Sequence, residues 1–165
     1  MLKNITYLQS LANYNIWANN LVISWLQQIS EEDWQKDLGG SMPSIATTVI
    51  HIAGAEKIWF ERLNNEVSPF LTTYFKGNKE EIIEIWETAS QNLSVFLSKI
   101  SIEKLEEVFE YKNLAGDTFS SKKIEALAHV FNHSTYHRGQ IVNYLRQIGF
   151  NKLSSTDLIN YYRSL

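Results

Sequence analysis

Long stretches of helical periodicity, almost free of helix-breaking residues, place the strongest constraint on how this chain can fold. Apolar side chains recur every three or four residues in four such stretches, as on the packed face of an amphipathic helix. Only two prolines and seven glycines occur among the 165 residues, and these residue types most often interrupt helices. The sequence therefore predicts an all-α fold in which residues 1–165 form one domain, built as a four-helix bundle.

The limits of the four predicted helices follow from capping residues, loops and a glycine stop. Ser30 begins a further short turn of helix after the first, and Asn78 and Glu81 have the spacing of a capping box. The predicted limits are about Asn4 to Ile29, Ser44 to Asn64, Asn78 to Ile100, and Ser120 or Ser121 to Ile148.

The segment between the third and fourth helices loses the helical period. Its two short runs, Val108–Tyr111 and Asp117–Phe119, flank Asn113–Gly116, which predicts a small hairpin-like excursion around a glycine-containing turn. Near the end of the sequence, Thr156–Asp157 is placed to cap a short C-terminal helix, Leu158–Arg163.

Composition argues against several classes of protein. A net charge of −3 gives no attraction to phosphate backbones, so a nucleic-acid partner is not expected. The chain has no cysteine, which excludes disulfides and Cys-ligated zinc. No segment approaches the roughly 20 apolar residues of a membrane span, and the first residues lack the features of a signal peptide. We therefore expect a cytoplasmic protein with no membrane partner.

Three histidines provide the clearest candidate for a functional site. His133 and His137 lie four residues apart in the fourth predicted helix, so both imidazoles can point toward one spot. His51 lies in the second predicted helix. If the bundle brings these helices together, the three imidazoles can hold one divalent ion with open coordination positions. Histidines on helices are more often surface residues or hydrogen-bonded core residues, which is the competing interpretation.

A fourth histidine, His129, leaves the ligand pair on that helix open. His129 and His137 are about 12 Å apart along a helix axis, so they cannot share an ion. Either His129 and His133 or His133 and His137 form the pair. Gly139 follows His137 closely, and a mid-helix glycine usually indicates close approach of another backbone. That inference favours the pair that includes His137 and leaves His129 a supporting or structural residue.

These patterns match a known family along nearly the whole sequence. The residues that carry the match are Tyr14–Asn19, His51–Leu63, the NHxxxHRGQ pattern at Asn132–Gln140, and Thr156–Ile159. On them the chain resembles the DinB-like (DinB/YfiT) superfamily of four-helix-bundle metalloproteins.

The resemblance implies a metal site made of His51, His133 and His137, holding zinc, nickel or another divalent ion. It also implies a homodimer. Some relatives are induced by DNA damage, which concerns gene regulation and implies no contact with DNA. Related bundles include transferases and a maleylpyruvate isomerase that use low-molecular-weight thiols.

Such a site suits two reaction classes. Three neutral imidazoles leave the double positive charge of the ion uncompensated, which acidifies a bound water toward a pKa of about 7 for zinc and deprotonates a bound thiol. We therefore expect a metal-dependent hydrolase or thiol S-transferase that acts on a small electrophile, with a low-molecular-weight thiol as a possible partner. The alternative is a non-catalytic bundle that binds metal or a small ligand in a stress response. Glu56, Tyr136, Gln140 and Asn15 are candidates for a base or for supporting the ligands, and each also fits a purely structural role.

Overall fold

The four predicted long helices are present and form a closed bundle. The computed structural model describes residues 2–165, and their side chains from Ile5 onward. In chain order the helices are α1 (Leu2–Leu26), α2 (Glu31–Gln35), α3 (Ile45–Leu63), α4 (Leu71–Tyr74), α5 (Lys79–Lys99), α6 (Ile102–Leu105), α7 (Lys123–Gln147) and α8 (Leu158–Arg163). The short helices α4 and α6 were not predicted, because each is a single turn with no visible period.

Contacts among the long helices define their arrangement around the core. Helix α3 packs against α5 and α7, and α1 packs against the same two helices. Helices α1 and α3 therefore lie diagonally across the bundle. This arrangement places α3 and α7, the two histidine-bearing helices, side by side.

Two apolar clusters fill the bundle, and a layer of buried polar residues separates them. The first cluster includes Trp25, Trp34 and Trp86, and the second includes Leu93 and Leu127. On each long helix, polar residues occupy the positions between the two clusters. We call these residues the polar layer: Asn15 and Asn19 of α1, Glu56 of α3, Ser90 of α5, and Ser134 and Arg138 of α7.

The predicted helix starts at Ser44 and Asn78 are confirmed. The Ser44 side chain accepts a hydrogen bond of 3.1 Å from the Thr47 main-chain N–H. Asn78 and Glu81 form the predicted capping box, with reciprocal bonds of 2.9 and 2.8 Å. These bonds satisfy main-chain N–H groups that have no partner within the helix.

Helix α1 ends at Leu26, so the predicted end at Ile29 is wrong. The chain turns at residues 27–28, yet Ile29 remains buried in the core. The Lys79 ammonium group on α5 donates to the main-chain oxygens of Leu26 and Ile29, at 3.3 and 3.0 Å. A distant side chain therefore satisfies carbonyls at this helix end, which the period of α1 could not reveal.

The hairpin is confirmed, but the predicted cap of the last long helix is wrong. Strands β1 (Val108–Lys112) and β2 (Thr118–Lys122) pair in antiparallel register. Ser120 and Ser121 stay extended because both pair with β1. Helix α7 therefore begins after Lys122, whose main-chain N–H donates to Glu125 at 3.0 Å.

The C-terminal helix has the predicted limits but not the predicted cap. Asp157 occupies the cap position, and its side chain makes no capping hydrogen bond. The helix is held instead by aromatic packing, with the Tyr161 ring centroid 5.9 Å from that of Tyr14. The Tyr14 hydroxyl also donates to the Thr156 main-chain oxygen at 2.8 Å.

None of the described helices combines the length and apolar character needed to cross a bilayer.

Candidate metal centre

The structure brings His51, His133 and His137 together between α3 and α7. The Nε2 atoms of His51 and His133 are 2.9 Å apart. One ring nitrogen from each of the three residues can be chosen so that all three lie within 4.8 Å of one another. Two nitrogen ligands of a tetrahedral zinc ion are about 3.3 Å apart, given Zn–N bonds near 2.05 Å. To hold a small divalent ion, His51 and His133 would therefore have to move about 0.4 Å apart, and the most widely separated pair would have to close by up to about 1.5 Å.

A hydrogen bond to Gln140 orients the His137 ring. His137 Nδ1 lies 2.6 Å from Gln140 Oε1. Because an amide oxygen can only accept, Nδ1 carries the proton and the Nε2 lone pair is free. Gln140 is held in turn by its contact with the Tyr136 hydroxyl, at 3.4 Å. The predicted supporting candidates Gln140 and Tyr136 therefore both lie beside the histidine cluster.

All three imidazoles are held in the neutral form that a metal ligand requires. Burial is the main cause that lowers the pKa of His133 to about 3, and the neighbouring histidines add to the effect. Burial also lowers the pKa of His51, and repulsion from the positive charge of a protonated His137 lowers it further. Burial lowers the pKa of His137, against an opposing contribution from Gln140. Protons therefore do not compete for the ring nitrogens at neutral pH.

His129 lies outside the cluster formed by the other three histidines. Its ring packs against Trp59, with centroids 5.3 Å apart. His133 and His137 are the pair that faces His51, with ring centroids 4.8 and 4.5 Å from it.

Comparison with known proteins agrees with this architecture. The model of the DinB family matches residues 1–163. The chain belongs to the DinB family. It is 26% identical over 148 residues to Protein DinB of Bacillus subtilis (strain 168), which covers 85% of each sequence.

Two solved structures share the fold of this DinB-family protein. A DinB-like protein of Bacillus subtilis, YjoA, aligns with a TM-score of 0.67 and 16% identity, covering 89% of this chain and 97% of its own. YfiT of Bacillus subtilis aligns with a TM-score of 0.64 and 10% identity, covering 86% and 87%. YfiT is described as a probable metal-dependent hydrolase with an unusual four-helix bundle topology.

The predicted role of Gly139 in this DinB-family chain is wrong. A Cβ atom added to Gly139 would have no neighbour within 4 Å, so no other backbone approaches it. Of the two glycines within long helices, the one that marks a close approach is Gly54 on α3, whose added Cβ would lie 3.1 Å from Leu71 Cβ. The helix position alone could not distinguish these two cases.

Glu56, a predicted base candidate, lies in the polar layer, where both of its carboxylate oxygens accept hydrogen bonds. It is fully buried. Its Oε1 atom accepts from Ser134 at 2.8 Å, from Asn15 at 2.9 Å and from Asn19 at 3.0 Å. Its Oε2 atom accepts from Ser90 at 2.6 Å. These contacts assign Glu56 and Asn15 to bundle packing, beside the site rather than in it.

Arg138 balances the charge of Glu56 through the two asparagines. Its Nη1 atom donates to Asn15 Oδ1 at 2.5 Å and to Asn19 Oδ1 at 2.8 Å. The side chain is only 1% exposed, and a buried charge is tolerated only when it is paired or hydrogen-bonded. This network was not predicted. Its one sign in the sequence is that Arg138 is the only polar member of a helical stripe whose other members are Ile124, Leu127, Phe131, Val142 and Leu145.

Proposed function

We propose that this DinB-family protein is a divalent-metal-dependent enzyme that hydrolyses a small molecule, with His51, His133 and His137 holding the ion. The observation that carries the proposal is the convergence of three neutral imidazoles from two helices. The description of YfiT as a probable metal-dependent hydrolase supports it. Zinc and nickel, which both accept imidazole ligands, are the expected ions.

The residues around the histidines have separable tasks in this proposal. When bound, the ion supplies a Lewis acid that makes a nucleophile available at neutral pH. Gln140 holds the proton of His137 on Nδ1, which keeps Nε2 directed toward the site. The bond from Ser134 to Glu56 fixes α7 against α3, and so fixes His133 against His51. Such outer contacts commonly set the affinity of a metal site.

Transfer of a thiol is the second candidate, and the state of Glu56 favours it. A metallohydrolase often has a carboxylate base near its metal, as in the HExxH enzymes. In the described part of the chain, no Asp or Glu joins the three-histidine cluster, and Glu56 is fully buried, with both carboxylate oxygens hydrogen-bonded within the polar layer. A cation held by the histidines would lower the pKa of a thiol enough for the thiol proton to pass to solvent, so this reaction would not need such a base. A low-molecular-weight thiol that attacks a small electrophile therefore also fits the site.

Metal analysis tests the site itself. Purified protein loaded with zinc or nickel and then desalted should retain one ion per chain, measured by elemental analysis. We expect His51→Ala to lose that ion and His129→Ala to keep it, because His129 lies outside the cluster. Retention of the ion by His51→Ala, or its loss only in His129→Ala, would contradict the assignment.

Activity measurements separate the reaction classes. The metal-loaded protein is incubated with an aryl ester, and separately with glutathione or bacillithiol plus a chlorinated or epoxide electrophile. Ester turnover that stops on chelation supports a hydrolase, and thiol conjugation that stops on chelation supports a transferase. Ligand uptake without product would indicate a non-catalytic binder.

The homodimer and the cytoplasmic location stay predictions from sequence.

A further inference from the structure

A groove leads away from the histidines along one face of α3. Ala55, Ile58 and Arg62 follow His51 at intervals of three or four residues, which places all four on one face of the helix. A cavity of about 170 Å³ is lined by His51 and His133 at one end and includes Arg62. It adjoins a second cavity of about 420 Å³, with which it shares Ile58, Arg62, Phe70 and Leu114.

Arg62 stands where these two cavities meet, inside a ring of aromatic side chains. The guanidinium carbon lies 4.7 Å from the Trp59 ring centroid, 5.2 Å from that of Phe70 and 5.0 Å from that of Tyr111. A helical side chain leans toward the N-terminal end of its helix, and for Arg62 that direction leads toward His51. The charged group is therefore presented to the groove.

The charge of Arg62 has no anionic partner among the described residues. The ion pairs among those residues each join a lysine to a glutamate and do not include Arg62. The hydrogen bond of Arg62 goes from Nη2 to the main-chain oxygen of Lys112, which leaves N–H groups of the guanidinium available. Burial also lowers the pKa of Arg62, because few water molecules solvate its charge.

We propose that Arg62 binds the carboxylate of an elongated organic monoanion, whose apolar body lies in the groove and whose reacting group lies at the histidines. The guanidinium fork matches a carboxylate in geometry. A singly charged ligand fits better than a doubly charged one, because Glu66 and Glu110 also line the outer cavity, with Lys112 as its other cation. This inference rests on the proposed function for the reacting end of the ligand.

The first experiment tests the anion site in metal-free protein. The probes are 6-phenylhexanoate and its uncharged primary amide, with binding measured by calorimetry and by Trp fluorescence. We expect 6-phenylhexanoate to bind at least about tenfold more tightly than its amide, as hydrogen bonds to a charged group allow. Arg62→Gln should remove that preference. Lys112→Gln removes another positive charge from the same cavity and should change the affinity for 6-phenylhexanoate by less than about twofold.

A second variant keeps the test valid if Arg62→Gln loosens the hairpin. Ala55→Leu leaves Arg62 in place and fills the groove between it and His51, so it should weaken 6-phenylhexanoate and the amide alike. Equal affinity for carboxylate and amide in the wild type would overturn the proposal. Equal losses of affinity for 6-phenylhexanoate in Arg62→Gln and Lys112→Gln would also overturn it, since Arg62 would then contribute no more than any other positive charge in the cavity.

The second experiment tests whether the anion site and the histidines serve one ligand. Zinc-loaded protein is titrated with octanohydroxamate and with a series of dicarboxylic monohydroxamates of increasing chain length. Joining two binding groups raises affinity only when the linker spans both sites. We expect one chain length to bind at least about tenfold more tightly than octanohydroxamate, with the gain lost in Arg62→Gln.

The outcomes separate this inference from the proposed function. Binding of octanohydroxamate with no gain from a carboxylate at any length would overturn the groove and leave the metal site intact. Failure of octanohydroxamate to bind would count against the metal site. The carboxylate preference of the metal-free protein would still decide the role of Arg62.

Discussion

The Ser134 hydroxyl donates a hydrogen bond of 2.8 Å to Glu56 Oε1, across the contact between α7 and α3. Both residues are 0% exposed. Ser134 follows His133 directly, and Glu56 lies five residues after His51. The bond therefore joins the two helices that carry the candidate ligands, close to those ligands. It couples the polar layer of the bundle to the geometry of the histidine cluster.

Ser134→Ala should lower both the free energy of unfolding and the affinity for a divalent ion. Removing a buried hydrogen bond to a charged group costs about 1.5–3 kcal/mol. Ser90→Ala is the matched control, because Ser90 also donates to Glu56 but lies on α5, away from the histidines. We expect similar losses of stability by denaturant unfolding. Metal titration should show weaker binding in Ser134→Ala alone, and equal weakening in both variants would refute the coupling.

Periodicity predicted the long helices and placed His133 and His137 on one helix face, because both depend on spacing within single helices. The approach of His51 to this pair depends on the packing of two helices, and the resemblance to the DinB-like superfamily implied it. A stripe of apolar residues shows which face is buried but not which residue it meets. The contact of Arg138 with Asn15, 123 residues apart in sequence, had no local signal beyond a charge on an apolar stripe. The groove at Arg62 was equally hidden, since it is built from α3, a loop and the hairpin.

Alanine substitutions at the helical glycines Gly54 and Gly139 test which of them lies against another segment of the chain. Gly139→Ala should raise the free energy of unfolding by about 0.5–1 kcal/mol, because alanine is the better helix former and nothing lies within 4 Å of the added methyl group. Gly54→Ala gains the same propensity but meets Leu71 Cβ at 3.1 Å. We therefore expect a smaller gain or a loss, measured by thermal and denaturant unfolding. A larger gain at Gly54 than at Gly139 would contradict this account.

The lowered histidine pKa values predict an acid-sensitive fold in the metal-free protein. His133 has an ordinary value of 6.5 in the unfolded chain and about 3 in the folded protein. Between these values the unfolded chain takes up a proton that the folded protein does not. The contribution of neutral His133 to stability is therefore full above pH 6.5 and is lost as pH falls toward 3.

Denaturant unfolding across that pH range provides the measurement. His133→Asn removes the titrating group, so its free energy of unfolding should depend less steeply on pH than that of the wild type. The difference in slope should reach at most about 1.4 kcal/mol per pH unit, the value for one proton. Asn132→Ala changes the exposed neighbour and should keep the wild-type slope. Parallel curves for wild type and His133→Asn would show that His133 is protonated normally in the folded state.

The contact between His137 and Gln140 should contribute to the affinity for zinc. Gln140 accepts the Nδ1 proton of His137 at 2.6 Å, and loss of such an outer contact typically weakens metal binding by about 10- to 100-fold. Gln140→Leu should show that loss in zinc titrations. Gln140→Glu retains an acceptor and should bind zinc at least as well as the wild type. Gln147→Leu, an exposed change on the same helix, should leave the affinity unchanged. If Gln140→Leu binds zinc as the wild type does, then His137 is oriented by packing alone, for example against the Tyr136 ring, whose centroid lies 4.9 Å from its own.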